Sequence, residues 1–154
     1  MNVLVPELSL SARFRSATRA MRYSNEALAI RPRRQATEKW VAIIDDHRSV
    51  RSCLVRVMRL EGIHAVVFAS AEEYLAHPAP TAPSCLVLDM QLPGMNGYAL
   101  AQFLERERPP LPPTIFISAH EDLLASLEDD RLAHGRLRKP FEIDALLALV
   151  KPLL

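Results

Sequence analysis

From Trp40 onward, short apolar runs alternate with stretches of helical spacing, and this alternation limits the fold more than any other feature of the chain. Residues 41–44, 65–68, 86–89 and 114–117 have the length of strands and are apolar almost throughout, as suits strands buried on both faces. A fifth, weaker run at 136–138 alternates Arg136, Leu137 and Arg138. Between them lie helical patterns. Residues 49–60 place Val50, Leu54, Val57 and Met58 on one face, and Gly62 ends the helix. Ser70 and Glu73 have the spacing of a capping box for a helix to about residue 76. Residues 98–106 turn Leu100, Phe103 and Leu104 inward, 121–132 read as a helix, and 143–150 carry Ile143, Leu146, Leu147 and Val150 on one face. The proline-rich stretches 77–83 and 109–113 are loops, because proline breaks helix interiors. Five strands, each followed by a helix, predict an α/β domain with a doubly wound parallel sheet and helices on both faces.

Such a sheet presents the last residues of its strands along one carboxyl edge, where open α/β sheets hold ligands. The first run ends in Asp45 and Asp46, and the third ends in Asp89. Three carboxylates gathered at one edge call for a cation. Oxygen-only ligation suits Mg²⁺, which keeps most of its waters and accepts a phosphate as a further ligand. The chain therefore reads first as a phosphoryl site.

Charge divides the chain in two. Residues 1–39 hold eight Lys or Arg against three acids, whereas 40–154 hold eleven against fifteen. The expected organisation is a basic extension over 1–38, disordered or partly helical, followed by one domain over 39–154. Leu10, Phe14, Ala17 and Met21 fall at helical spacing in the extension, but no aromatic or groove-reading pattern accompanies its arginines. Direct DNA binding is therefore not expected. No apolar run reaches the roughly 18 residues that a membrane span needs, and the start makes a poor signal peptide. A cytoplasmic location follows. Cys53 and Cys85 have neither CxxC spacing nor a metal-type cluster, and both are expected to be buried reduced thiols.

The pair Asp45-Asp46, the segment 86–97 with Asp89 and Pro93-Gly94, the strand-end Ser118 and the triplet Lys139-Pro140-Phe141 together resemble the receiver domain of bacterial two-component response regulators. Within that family the chain is most similar to receivers that precede a LuxR-type helix-turn-helix. The resemblance implies a flavodoxin-like sheet of strand order 2-1-3-4-5. It implies that Asp89 accepts a phosphoryl group from a sensor histidine kinase or phosphotransfer protein, as a carboxylate nucleophile. Asp46 and Asp89 correspond to direct Mg²⁺ ligands, Asp45 to an acid acting through water, and Gln91 to a backbone-carbonyl ligand. Lys139 corresponds to the lysine that pairs with the acceptor, and Ser118 to the hydroxyl residue that follows the phosphoryl group. The Lys139-Pro140 bond is expected to be cis.

Two departures bear on mechanism. Arg136 stands where the family has an aromatic switch residue, and is expected to alternate between solvent and an acid such as Glu121 or Asp122. The stretch 128–131 replaces small apolar residues, which alters a homodimer face that relatives form with the last two helices. His47 and His120 lie close enough to the site to tune acyl-phosphate hydrolysis. Arg48, Arg51 and Ser52, beside the acid pair, mark a docking surface for the phosphodonor. The principal expectation is a stand-alone phosphoacceptor, not a turnover enzyme; the alternative is a phosphorylation-independent interaction module.

Overall fold

The computed structural model describes residues 39–128 and 130–154. The expectations for the 1–38 extension fall outside that span. The elements follow in strict alternation: β1 (Trp40–Ile44), α1 (Arg48–Leu60), β2 (His64–Phe68), α2 (Ala71–Ala76), β3 (Cys85–Asp89), α3 (Gly97–Glu107), β4 (Thr114–Ser118), α4 (Glu121–Ala125), β5 (Gly135–Arg138) and α5 (Ile143–Val150). A 3₁₀ turn, Lys151–Leu153, follows α5. All neighbouring strands pair in parallel, in the order β2-β1-β3-β4-β5. The doubly wound sheet is thus present as its apolar runs predict. Among the described residues no helix is long and apolar enough to cross a membrane.

Every residue of β1, β3 and β4 is buried, which is why these runs lack the polar alternation of a one-sided sheet. Their side chains serve two cores in turn. Val41, Ile43, Val87, Ile115 and Ile117 pack with Leu54, Met58, Leu146 and Val150 from α1 and α5. Ile44, Leu86, Leu88 and Phe116 pack with Tyr74, Leu100, Leu104 and Leu124 on the opposite face. Each such side chain contributes about 1.5–3 kcal/mol by leaving water, so the central strands are the most firmly held part of the sheet.

Local chemistry sets the helix ends. After α1, Gly62 takes φ +70°, and the N–H groups of Gly62 and Ile63 donate to the carbonyls of Arg59 and Met58. This double closure with a left-handed glycine is a Schellman motif. Ser70 Oγ caps α2 by accepting from Glu73 N–H at 3.1 Å. The return bond differs from an ordinary capping box: the Glu73 carboxylate accepts from Ala69 N–H at 2.5 Å, one residue before the cap. Asn96 Oδ1 caps α3 through Ala99 N–H at 2.8 Å.

The expected helix over 121–132 ends early, at Ala125. Acids at a helix C-terminus oppose the macrodipole, and Asp130 is used otherwise. Asp130 accepts from Leu132 N–H at 2.8 Å and from the Tyr98 hydroxyl at 2.5 Å, tying the segment after α4 onto α3. The shared hydrogen bond pushes the Tyr98 phenol up and holds the Asp130 carboxyl below its ordinary value. Arg131 adds an ion pair to Glu105 at 2.9 Å. Cys85 is buried, which pushes its thiol up to about 12. Cys53, however, is exposed, contrary to expectation: α1 turns Leu54 and Met58 to the core, and Cys53 stays on the rim of the helix.

Gly97, the first residue of α3, lies directly against the last main-chain group of β3. A β-carbon there would overlap the Asp89 carbonyl oxygen and sit 3.1 Å from the Leu88 side chain. Backbone at the end of a buried strand cannot yield as a flexible side chain can. Gly97→Ala is therefore expected to cost about 3 kcal/mol, lowering the melting temperature by about 10 °C. Thermal unfolding monitored by circular dichroism checks this, and an unchanged melting temperature would show that the α3 terminus can move away.

Candidate functional site

The strand register assembles the site. Ile44 pairs with Leu88, so Asp45 emerges beside Asp89 on adjacent strands. Asp89 pairs with Ile117 and Ser118 with Arg138, which brings Ser118 and Lys139 to the same edge. Lys139 N–H donates to the Ser118 carbonyl at 2.8 Å, and the Lys139-Pro140 peptide is cis. The Pro109-Pro110 peptide is cis as well.

Lys139 is the hub. Its Nζ donates to Asp45 Oδ2 and to Asp89 Oδ2, each at 2.6 Å. Both carboxylates are almost wholly removed from water, and the ammonium itself is only 18% exposed. Two buried anions of like sign are thus balanced by one cation. The remaining oxygens are also engaged: Asp89 Oδ1 accepts from Gln91 N–H at 2.9 Å, and Asp45 Oδ1 from His47 N–H at 2.8 Å. Burial pushes the Asp89 carboxyl up, against the opposing pull of the Lys139 hydrogen bond and the Gln91 N–H. For Lys139, burial pulls the ammonium down, but its hydrogen bonds to Asp45 and Asp89 more than offset this and hold it above its ordinary value.

Asp46 and His47 occupy the solvent side of the edge. His47 Nδ1 lies 2.7 Å from Asp46 Oδ1, and donor atoms of Asp45, Asp46, His47 and Asp89 all fall within 4.8 Å of one another. The Arg51 guanidinium donates to the main-chain carbonyls of Asp45 and Asp46 at 2.6 and 2.8 Å. Arg51 therefore holds the acid pair in place and is not a free docking residue; a reading of helix spacing alone could not show this inward turn.

The other expected site residues divide. Ser118 is fully buried at the edge, and its Oγ accepts from His120 N–H at 3.0 Å. Gln91 touches Asp89 through its main-chain N–H. Arg136 does not reach the acid cluster. Neither Glu121 nor Asp122 is its partner: Arg136 donates to the Leu124 carbonyl at 3.1 Å, and Glu121 instead pairs with Arg138 at 2.8 Å. The cause is strand position, because Arg136 lies two residues before Arg138 in β5, level with the end of α4, where its guanidinium joins Leu127 N–H on the Leu124 carbonyl. Two depressions flank the site. A cleft of about 820 Å³ runs from Asp46 past Gln91 and Tyr98 to Leu123. A shallow apolar groove of about 490 Å³ lies between α1 and the Lys139-Pro140-Phe141 segment, with Cys53 on its wall.

A parallel sheet of this strand order, with acids and a lysine converging on its carboxyl edge, defines a receiver-type α/β domain. The chain belongs to the response regulator receiver domain family, which matches residues 41–151. It is similar to the DNA-binding transcriptional regulator NtrC of Salmonella typhimurium, with 37% identity over 72% of this chain and 24% of NtrC. Nodulation protein W of Bradyrhizobium diazoefficiens is 35% identical over 75% of this chain and 51% of that protein. Among solved structures, response regulator TrrA of Thermotoga maritima, crystallised with Mg²⁺ and BeF, superposes with a TM-score of 0.64 at 24% identity. That match covers 75% of this chain and 99% of TrrA, and it speaks to the fold alone. The chain spans about a quarter of NtrC and about half of nodulation protein W.

Proposed function

We propose that this receiver accepts a phosphoryl group on Asp89 from the phosphohistidine of a sensor histidine kinase or phosphotransfer protein. The observation that carries the reading is the buried Asp89 carboxylate, held by Lys139 on one oxygen and by Gln91 N–H on the other. In the transfer, an Asp89 oxygen forms a bond to phosphorus as the phosphorus–nitrogen bond of the donor breaks. The imidazole leaves, and Asp89 becomes an acyl phosphate. Carboxylates are weak nucleophiles, so positioning and charge neutralisation supply most of the rate. In this reading Lys139 follows charge from the carboxylate to a phosphoryl oxygen, and Ser118 donates its hydroxyl to another.

Asp45, Asp46 and Asp89 fit a hard divalent cation, since three carboxylates converge where only one ammonium balances them. Mg²⁺, when bound, would neutralise the incoming phosphoryl oxygens. The donor's approach is favoured along the apolar groove beside α1, where Val50, Cys53 and Phe141 offer a dry surface next to Lys139. Reduced thiols at Cys53 and Cys85 suit a cytoplasmic setting. The domain keeps the phosphoryl group as a signal and is not a turnover enzyme in this reading.

A second reading, a phosphorylation-independent interaction module, draws on Arg136. Its guanidinium is tied to the end of α4, which leaves no aromatic side chain at that position to swing inward. Incubation with Mg²⁺ and a small acyl-phosphate donor separates the two. One phosphoryl mass should be gained and should map to the peptide containing Asp89. A chain that binds partners yet gains no such mass supports the module.

A further inference from the structure

Three of the four metal-type donors at the sheet edge are carboxylates; the fourth is the imidazole of His47. Its Nδ1 lies 2.7 Å from Asp46 Oδ1 and 3.5 Å from Asp45 Oδ1. Two donors that share one small cation, each about 2.1 Å from it, sit about 3 to 4 Å apart. The 3.5 Å spacing of the imidazole from Asp45 falls in that range, whereas the 2.7 Å contact with Asp46 is a hydrogen bond that a shared ion would open by a few tenths of an ångström. Its main chain is anchored too, because His47 N–H donates to Asp45 Oδ1 at 2.8 Å. On the inner side, Lys139 already spans Asp45 and Asp89. Asp46 and His47 are left as the solvent-facing half of the cluster, with 33% and 65% of their side chains exposed.

Resting on the phosphoacceptor reading above, we infer that His47 is a nitrogen donor to the receiver's cation and sets the metal preference of the site. Carboxylate oxygens suit Mg²⁺, whereas imidazole suits Zn²⁺ and its neighbours in the transition series. A site built of Asp45, Asp46 and Asp89 alone would favour a hard ion that keeps its waters. With His47 added, the same edge takes an N,O-coordinated ion such as Zn²⁺ in competition with Mg²⁺. The competing role for the same contact is to orient Asp46 only. The two differ in what the loss of the ring does. Loss of an orienting group weakens all cations alike; loss of a nitrogen donor weakens Zn²⁺ selectively.

Calorimetric titrations of the wild type and His47→Ala with Mg²⁺ and with Zn²⁺ separate these roles. His47→Ala is expected to lower Zn²⁺ affinity by about tenfold or more while leaving Mg²⁺ affinity nearly unchanged. In the wild type, the first equivalent of Zn²⁺ should shift the His47 ring-nitrogen resonances and leave those of His64, His77, His120 and His134 in place. A ring 65% exposed can be removed without a core defect, so the variant should fold. Equal losses for both ions, no loss of Zn²⁺ affinity, or unmoved His47 nitrogens would each overturn the inference. If the wild type binds Mg²⁺ and takes up a phosphoryl group but Zn²⁺ is indifferent to His47, only this inference fails. If the wild type does neither, the phosphoacceptor reading fails with it.

Discussion

Asp89→Asn should take up no phosphoryl group from a small acyl phosphate, a loss of at least about three orders of magnitude in initial rate, as expected when a nucleophile itself is removed. An amide at this position still accepts from Gln91 N–H but has no carboxylate oxygen to attack phosphorus. The neighbouring acids have another task in this reading, holding the cation: Asp45 lies between Lys139 and His47 N–H, and Asp46 faces His47 on the solvent side. Mass spectrometry over a time course checks this, and a wild-type rate of labelling in the variant would move the acceptor to another residue. The same substitution carries a second, opposite expectation for stability in the absence of divalent ions. Because burial raises the Asp89 carboxyl, the folded chain holds this proton more tightly than the unfolded chain. Stability from this group is therefore greatest below the unfolded value and falls as pH rises through the folded one. At neutral pH Asp89→Asn should match or exceed the wild type in urea. That advantage should shrink on acidification through the raised carboxyl value, as the wild-type side chain becomes neutral as well. A pH-independent difference would place the cost elsewhere.

What could be read from the sequence was whatever depends on periodicity and on strand ends. The wholly apolar β1, β3 and β4 declare burial on both faces, and with it the meeting of Asp45, Asp46 and Asp89 at one edge. The closing helix Ile143–Val150 and the Gly62 stop follow from local rules. Contacts between residues far apart in sequence were not legible in this way. The Tyr98 to Asp130 bond spans 32 positions and engages an acid that composition would assign to a longer α4. Arg51 reads as an exposed docking residue by helix spacing but is drawn back to the carbonyls of the acid pair. Arg136 invites an acidic partner by charge and finds a helix-end carbonyl, because its strand position brings it level with Leu124. His47 is the instructive case within the site. Its place after two acids puts it near the site, but only the structure shows its ring nitrogen joining the Asp46 carboxylate.

Lys139→Met should produce the largest loss of stability of any single change at the edge, and adding Mg²⁺ should reverse much of it. The ammonium makes hydrogen bonds of 2.6 Å to two carboxylates that are respectively 0% and 4% exposed. Methionine keeps the length and apolar stem but removes the charge, leaving Asp45 and Asp89 facing each other with no counter-ion. Breaking a buried ion pair by removing one partner costs about 3–5 kcal/mol, a large share of the roughly 5–15 kcal/mol that holds a domain together. Protonation of one carboxylate limits the cost. Two further measurements tie the loss to charge. A divalent ion that binds the folded acids and not the unfolded chain must stabilise by mass action, so the urea midpoint of Lys139→Met should rise with Mg²⁺ more than that of the wild type. The double variant Lys139→Met with Asp89→Asn should be more stable than Lys139→Met alone, since only one buried carboxylate then remains; such coupling is the mark of a direct interaction. Phosphoryl uptake should fall about 10²- to 10³-fold even at saturating Mg²⁺, the usual effect of deleting one group that stabilises developing charge. If Lys139→Met were as stable as the wild type without metal, the two carboxylates would not be sharing this lysine. The balance of one ammonium against two buried acids would then no longer explain why the edge has room for a cation.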